Sequence, residues 1–156
     1  MYDAGRLILS IEKRLGEKKM NAKMFEKANR FIKTRSDASF SVIDENGYPS
    51  VSAIWLINQE NISEVYFSTI VGSNKYKRLQ KCNRASICSY AQFDNLTLVG
   101  EAEVLTDQAS KTKHWQEPFI HIYPKGDTDP TYCVIKFTTK RVSLHIDHES
   151  AGFVIE

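Results

Sequence analysis

The sequence has few of the features that mark disulfide-rich, metal-binding or membrane-spanning proteins. Its 156 residues include three cysteines, Cys82, Cys88 and Cys133, an odd number without CxxC spacing. We therefore expect reduced thiols that serve as packing residues rather than as ligands or nucleophiles. No apolar run approaches the roughly 18–20 residues that span a bilayer, and no signal-peptide pattern opens the chain. These absences predict a cytoplasmic protein that does not interact with membranes.

Motifs that would specify a reaction are also missing. The sequence contains no Walker loop and no GxGxxG, and no serine or cysteine stands in a recognisable setting for a catalytic triad. His145 and His148 have the spacing of metal ligands, but no further histidine, cysteine or acidic cluster joins them, so we expect no metal site. The formal net charge of +2 is too even for nucleic acid to be the main partner. We therefore name no catalytic side chain.

Two helices are predicted ahead of the first strand. The first spans residues 3–15, with Gly16 as its expected end. Its apolar residues share one face, which consists of Leu7, Ile8, Ile11 and Leu15. The second helix runs from about Ala22 to Thr34. Its inward face consists of Met24, Phe25, Ala28, Phe31 and Ile32.

Strand signals dominate after Ser36. Alternating or apolar segments predict strands at Ala38–Asp44, Ser50–Ile57, Val65–Thr69, Ala85–Tyr90, Leu96–Leu105, Tyr132–Thr138 and Val142–Ile146. A short helix is expected from Thr106 to about Trp115, followed by an irregular segment, Gln116–Pro130. About six antiparallel strands in one small domain favour a closed or nearly closed barrel, because closure removes exposed edges. We predict a single domain over residues 1–156, mainly β with flanking helices, in which residues 1–35 are helical and residues 36–147 form the barrel.

A candidate anion-binding turn follows the third predicted strand. The sequence reads Ile70–Val71–Gly72–Ser73 and then enters a basic helix that is expected from about Asn74 to Asn83. A helix N-terminus presents unpaired N–H groups and partial positive charge, Gly72 allows close approach of the backbone, and Lys75 adds a full charge. The functional interpretation is a bound phosphate. The alternative is an ordinary capped surface helix with solvated lysines, and the turn alone favours that alternative.

The stretch Phe67–Tyr90, FSTIVGSNKYKRLQKCNRASICSY, resembles the pyridoxamine 5′-phosphate oxidase-like, FMN-binding split-barrel superfamily. That family has a similar block of an aromatic residue, a threonine, a Gly-Ser loop, a basic pair, a helix, an asparagine and a strand. Gly47–Val51 is similar to its G-x-P hairpin, and Asn95–Val104 is similar to one of its strands. The segment from His114 to Tyr132 is closer to the general stress protein branch. The resemblance covers roughly residues 36–147.

The resemblance implies a six-stranded antiparallel split β-barrel that forms a homodimer and holds FMN at its interface. Carried over by position, Ser52, Ala53, Ile54 and Trp55 lie on the strand beside the isoalloxazine ring. Ser68 and Thr69 fall where the family contacts the flavin. Ser73, Asn74 and Lys75 fall on the phosphate loop, and Asn95 falls where a polar side chain of the partner subunit reaches the cofactor.

Three positions depart from the oxidase pattern. Ser52 replaces an arginine that holds the phosphate, Ile57 replaces a lysine, and Asn74 replaces the first residue of the basic pair. Each lost charge-assisted bond costs about 1.5–3 kcal/mol, so we expect modest FMN affinity unless Lys77 or Arg78 compensates. The C-terminal segment that completes the substrate site of true pyridoxamine phosphate oxidases is not recognisable, and we do not predict that reaction.

Three functions remain open at this point. The first is a flavin-dependent oxidoreductase acting on an unidentified substrate. The second is a non-catalytic, stress-related flavin-binding module, and the third is a barrel that has lost its cofactor. The sequence does not distinguish FMN from a deazaflavin or identify the electron donor.

Overall fold

The computed structural model describes residues 4–57 and 59–155, with side chains from Leu9 onward. Its helices are α1 (Ala4–Lys33), α2 (Asn74–Lys81) and α3 (Gln108–Lys113), and two 3₁₀ turns cover Glu117–His121 and Gly126–Thr128. Its strands are β1 (Asp37–Ile43), β2 (Pro49–Ile57), β3 (Glu64–Ile70), β4 (Arg84–Ala91), β5 (Asp94–Leu105), β6 (Tyr132–Ile146) and β7 (Glu149–Val154). The mainly β prediction with flanking helices is confirmed.

Six antiparallel strands close into a barrel in the order β3-β2-β1-β4-β5-β6, because β3 also pairs with β6. The predicted pair Tyr132–Thr138 and Val142–Ile146 is wrong as two strands, since both segments belong to the continuous strand β6. The first half of β6 pairs with β3, and the second half pairs with β7, which the sequence analysis missed. The fold is therefore a six-stranded barrel with one additional strand.

The inward side chains of the strands fill the barrel with aliphatic and aromatic groups. Phe40 on β1 packs against Phe67 on β3 at 4.7 Å between ring centroids, and against Phe137 on β6 at 6.4 Å. All three phenylalanines are fully buried. The alternation of buried and partly exposed residues along β1, β3 and β4 follows directly from the two-residue period of a strand.

Helix α1 is a single 30-residue helix, so the predicted break at Gly16 is wrong. Glycine costs about 1 kcal/mol relative to alanine in a helix interior, which weakens a helix without ending it. The second half docks on the barrel through buried Met24, Ala28 and Ile32, as predicted. In the first half, Ile11 and Leu15 are exposed, and the predicted inward side chains of Leu7 and Ile8 lie outside the described residues.

A second, smaller apolar cluster lies outside the barrel wall. It consists of Ile57, Phe119, Tyr123, Tyr132 and Val134. The irregular segment between α3 and β6 supplies Phe119 and Tyr123. That segment is fixed by the buried Lys111, whose Nζ donates to the carbonyl oxygen of Asp129 at 2.7 Å. The cluster thus holds the irregular segment against the outer face of β3 and β6, next to the candidate site.

Candidate functional site

The turn between β3 and α2 has the geometry of a capped helix start. Gly72 has a φ of +84°, in the left-handed region that favours glycine. Ser73 is the N-cap, and its Oγ accepts from the N–H of Tyr76 at 3.2 Å. Its Oγ also lies 3.2 Å from Oγ1 of Thr69. The N–H groups of Asn74 and Lys75 have no acceptor within the helix, so the turn presents two backbone donors beside Ser73.

An ordinary surface lysine extends into solvent, but the side chain of Lys75 does not. Its Nζ lies 5.9 Å from the ring centroid of Phe40 and 5.7 Å from that of Phe67. Burial lowers the pKa of this ammonium group. Within the described ranges Lys75 forms no ion pair. The structure therefore places a partly desolvated, uncompensated positive charge at the end of the barrel next to the helix start.

The segment of β2 that was predicted to lie beside a flavin has an open edge. β2 pairs with β1 from Pro49 to Trp55, but it pairs with β3 only at Leu56 and Ile57. The backbone from Ser52 to Trp55 consequently has no strand partner on its β3 side in the described sheet. This is the split in the barrel. Unpaired backbone groups at such an edge are available to a ligand.

The four predicted β2 residues differ in what they can offer a ligand. Ser52, Ala53 and Trp55 are exposed, and Trp55 retains 59% of its accessible surface. Ile54 is buried in the barrel core, so its side chain is not available and only its backbone could contribute. Trp55 is therefore an accessible aromatic surface at the split rather than a core residue.

Ser68 connects the site to the irregular segment. It lies on the outward face of β3, and its hydroxyl is near the phenol of Tyr123. Burial raises the pKa of Tyr123, and the neighbouring Ser68 hydroxyl offsets part of that shift. Tyr123 was not among the predicted site residues. The only signal for it was the position of His121 and Tyr123 in an irregular segment, where binding groups often collect.

Asn95 does not join the other predicted residues within one chain. It is an exposed residue at the start of β5, in register with Tyr90 on β4 and His145 on β6. Because β1 and β4 separate β2 from β5 in the sheet, Asn95 lies three strands away from Trp55. A site that used both residues would have to draw Asn95 from a second copy of the chain.

Cys133 does not offer an accessible thiol to this region. Cys133 is fully buried, and burial raises its pKa to about 11. The burial of Cys133 agrees with the packing role that was expected for it. Among the described residues there is no group of three or more histidine, cysteine or acidic side chains that could hold a metal. No helix in the described part of the chain is long and apolar enough to cross a bilayer.

Residues 24–146 match the family model described as pyridoxamine 5′-phosphate oxidase. The chain belongs to this family. The matched region contains the whole six-stranded barrel and the turn at Gly72–Lys75. It leaves β7 and most of α1 outside. The family assignment therefore covers every residue that was predicted to contact a cofactor.

Solved structures give the same fold assignment. A protein related to general stress protein 26 from Clostridium acetobutylicum aligns with 27% identity and a TM-score of 0.77, over 85% of this chain and 95% of that chain. General stress protein 26 from Bacillus anthracis aligns with 16% identity and a TM-score of 0.68, over 83% and 97%. A pyridoxamine 5′-phosphate oxidase-related, FMN-binding protein from Nostoc punctiforme aligns with 14% identity and a TM-score of 0.52, over 87% and 95%. A search of curated protein sequences gave no match.

Proposed function

We propose that this member of the pyridoxamine 5′-phosphate oxidase family binds FMN, with its phosphate at Ser73, Asn74 and Lys75. The observation that carries the proposal is the pairing of free backbone donors with the uncompensated ammonium of Lys75. A phosphate is the ligand group that such a helix start favours. Lys75 would exchange poor solvation for a strong charge-assisted hydrogen bond. The Nostoc relative described as FMN-binding supports the same cofactor class.

The split beside β2 suits the flat flavin ring. The open backbone edge from Ser52 to Trp55 offers donors and acceptors for the polar edge of the isoalloxazine. The exposed indole of Trp55 offers an apolar surface. Ser68 and Thr69 lie on the strand between that edge and the phosphate turn, so ring and phosphate can be held by one continuous set of residues.

We further propose that the functional unit is a homodimer. The outward side of β2, β1 and β4 exposes Val51, Trp55 and Tyr90, which retain 65%, 59% and 64% of their accessible surface. Exposed apolar surface of this kind marks interaction sites in soluble proteins. In a two-fold interface the same face meets itself, which would bring Asn95 of the partner subunit towards the flavin site. The flavin would then lie between subunits.

The proposed activity is a flavin-dependent oxidation or reduction of an unidentified substrate. Bound flavin supplies the electron-transfer chemistry, while the protein positions it and sets its electrostatic surroundings. A non-catalytic flavin-binding module is the second candidate. The aromatic cluster that covers Ile57 favours this second candidate. Ile57 is only 2% exposed, so the cluster closes the Ile57 end of the open β2 edge.

The visible spectrum of the purified protein tests the proposal first. We expect flavin absorption, release of FMN on denaturation, and saturable rebinding of FMN by the apoprotein. A colourless protein that does not bind added FMN would leave the third function, a barrel without a cofactor. Oxidation of NAD(P)H by the FMN-loaded protein would separate the oxidoreductase from the binding module.

A further inference from the structure

Arg78 is tethered between α2 and the hairpin that joins β1 to β2. Its Nη1 donates to Oγ of Ser50 at 2.8 Å. Its Nη2 lies 3.3 Å from Oε2 of Glu45, and its Nε lies 3.4 Å from Oε1 of the same carboxylate. The Arg78 side chain retains 20% of its accessible surface, whereas that of Glu45 retains 53%. The Arg78 side chain is therefore mostly buried at the surface of the barrel, whereas about half of the Glu45 side chain is exposed to solvent.

The Arg78 guanidinium lies on the same side of β2 as the proposed phosphate turn. Ser50 and Ser52 are two residues apart on one strand, so their side chains point to the same face. Ser52 is directly opposite Phe40 in the β1–β2 register, and Phe40 is the ring beneath Nζ of Lys75. Lys75 and Arg78 are both on α2, and their side chains thus approach neighbouring positions of β2.

The helix also places Arg78 within reach of its own N-terminus. Asn74 and Arg78 are four residues apart and are neighbours on the surface of α2, at about 5–6 Å between their Cβ atoms. An arginine side chain is long enough to turn from Ser50 towards a group bound at Asn74. No change in the backbone of α2 is needed for this movement.

We infer that Arg78 is a second cation for the phosphate of the flavin, and that Glu45 competes with that phosphate for it. The inference rests on the proposed phosphate site. Charge-assisted N–H···O bonds are normally about 2.7–2.9 Å long, so the 3.3 and 3.4 Å contacts to Glu45 form a loose pair. A phosphate monoester carries about −1.5 to −2 charge and accepts a bidentate guanidinium. It therefore displaces a half-exposed carboxylate from Arg78.

Titration of the apoprotein with FMN and with riboflavin, which lacks the phosphate, tests this inference. Arg78→Ala is expected to weaken FMN binding by about tenfold or more and to leave riboflavin affinity unchanged. Glu45→Gln is expected to tighten FMN binding by about two- to fivefold. The double variant should behave like Arg78→Ala, because Glu45 acts only through that arginine. Lys81→Ala and Glu60→Gln are charge-matched controls and should bind FMN like the wild type.

The opposite directions for Arg78→Ala and Glu45→Gln distinguish a ligand role from a strut. If the pair only braces the hairpin, both variants lower the thermal unfolding temperature of the apoprotein and both weaken FMN and riboflavin alike, which overturns the inference. Wild-type FMN affinity in both variants, with Lys75→Met still impaired, overturns the inference and leaves the proposed function standing. A wild-type protein that binds no FMN overturns both.

Discussion

The ammonium group of Lys75 sits where water reaches it poorly and where no described carboxylate neutralises it. Each of its two aromatic contacts, at 5.7 and 5.9 Å, is close to the about 6 Å limit of a cation–π interaction. Such a contact contributes about 0.5–2 kcal/mol, depending on desolvation, whereas burial of an ion costs several kcal/mol. The contacts offset part of that cost. On the proposed function, a bound phosphate would offset the rest of that cost.

Lys75→Met separates these two effects, because methionine keeps an apolar stem over Phe40 and Phe67 while removing the charge. We expect the apoprotein to be at least as stable as the wild type, since a desolvated charge is removed. FMN affinity should fall by about tenfold to a hundredfold, equivalent to the about 1.5–3 kcal/mol of a charge-assisted bond. Flavin fluorescence titration and thermal unfolding measure the two quantities. Lys81→Met is the matched control in the same helix, and equal affinities for the two variants would show that the phosphate binds elsewhere.

At the scale of single elements, the β5–β6 pair depends on the absence of a side chain at Gly100. A Cβ at this position would lie 2.0 Å from the carbonyl oxygen of Thr138, in the stretch where the strand register shifts. The strands would have to move apart, and overpacking of this kind costs about 1–3 kcal/mol and occasionally more. We expect Gly100→Ala to lower the free energy of unfolding by at least this amount in urea denaturation. Gly152→Ala is the control, because its Cβ would lie 3.7 Å from the carbonyl oxygen of Val142; similar losses in both variants would contradict the steric explanation.

The attachment of α1 to the β6–β7 turn is expected to depend on pH. Hydrogen bonds from Lys23 and Lys27 hold the pKa of Glu149 at about 2, against an ordinary value of 4.5. Because the native pKa is lower than the unfolded one, ionised Glu149 favours the folded state. This contribution is complete above pH 4.5 and is lost as the pH falls from 4.5 through 2. Urea midpoints at pH 6 and pH 3 should therefore differ less in Glu149→Gln than in the wild type. Glu12→Gln is the control, because Glu12 is an exposed residue elsewhere on α1, and it should keep the wild-type difference between the two midpoints. If Glu149→Gln also keeps that difference, the attachment of α1 does not depend on the Glu149 carboxylate.

The elements that the sequence predicted well are those with a strong local signal. Alternating or apolar segments predicted β1, β3 and β4, and the Gly72–Ser73 pair predicted the start of α2. The ends of these elements were placed to within one or two residues. β7 was missed because its turn at Asp147–His148 adopts positive φ values of 51° and 63° without a glycine. The direction of Lys75 and the closeness of Ser68 to Tyr123 were also beyond prediction. They depend on how distant segments pack against the barrel, which a local pattern does not contain.

At the scale of the whole molecule, a single chain would carry half of the proposed flavin site. The open edge of β2 lies at one end of the outward face formed by β2, β1 and β4. Asn95 lies three strands away, beyond Tyr90. A two-fold axis through this face would bring opposite ends of two copies together. The proposed role of Asn95 in the flavin site therefore requires the proposed dimer, and one substitution can test both.

Val51→Lys places a charge on this face at a residue that was not predicted to contact the flavin. Val51 is 65% exposed in the single chain, so lysine there is tolerated by the fold, but burying it unpaired in an isologous interface costs several kcal/mol on each side of the axis. We expect light scattering to find that the variant is a monomer. At low protein concentration its unfolding transition should match that of the wild type. Its FMN affinity should fall, because Asn95 of the partner subunit is no longer supplied. Val154→Lys introduces the same charge on β7, at an apolar residue that is 66% exposed and lies outside this face, and it should leave both the mass and the affinity unchanged. A Val51→Lys protein that remains dimeric with wild-type FMN affinity would move the interface elsewhere. A monomer that binds FMN normally would instead show that one chain completes the site by itself, and that Asn95 has no part in it.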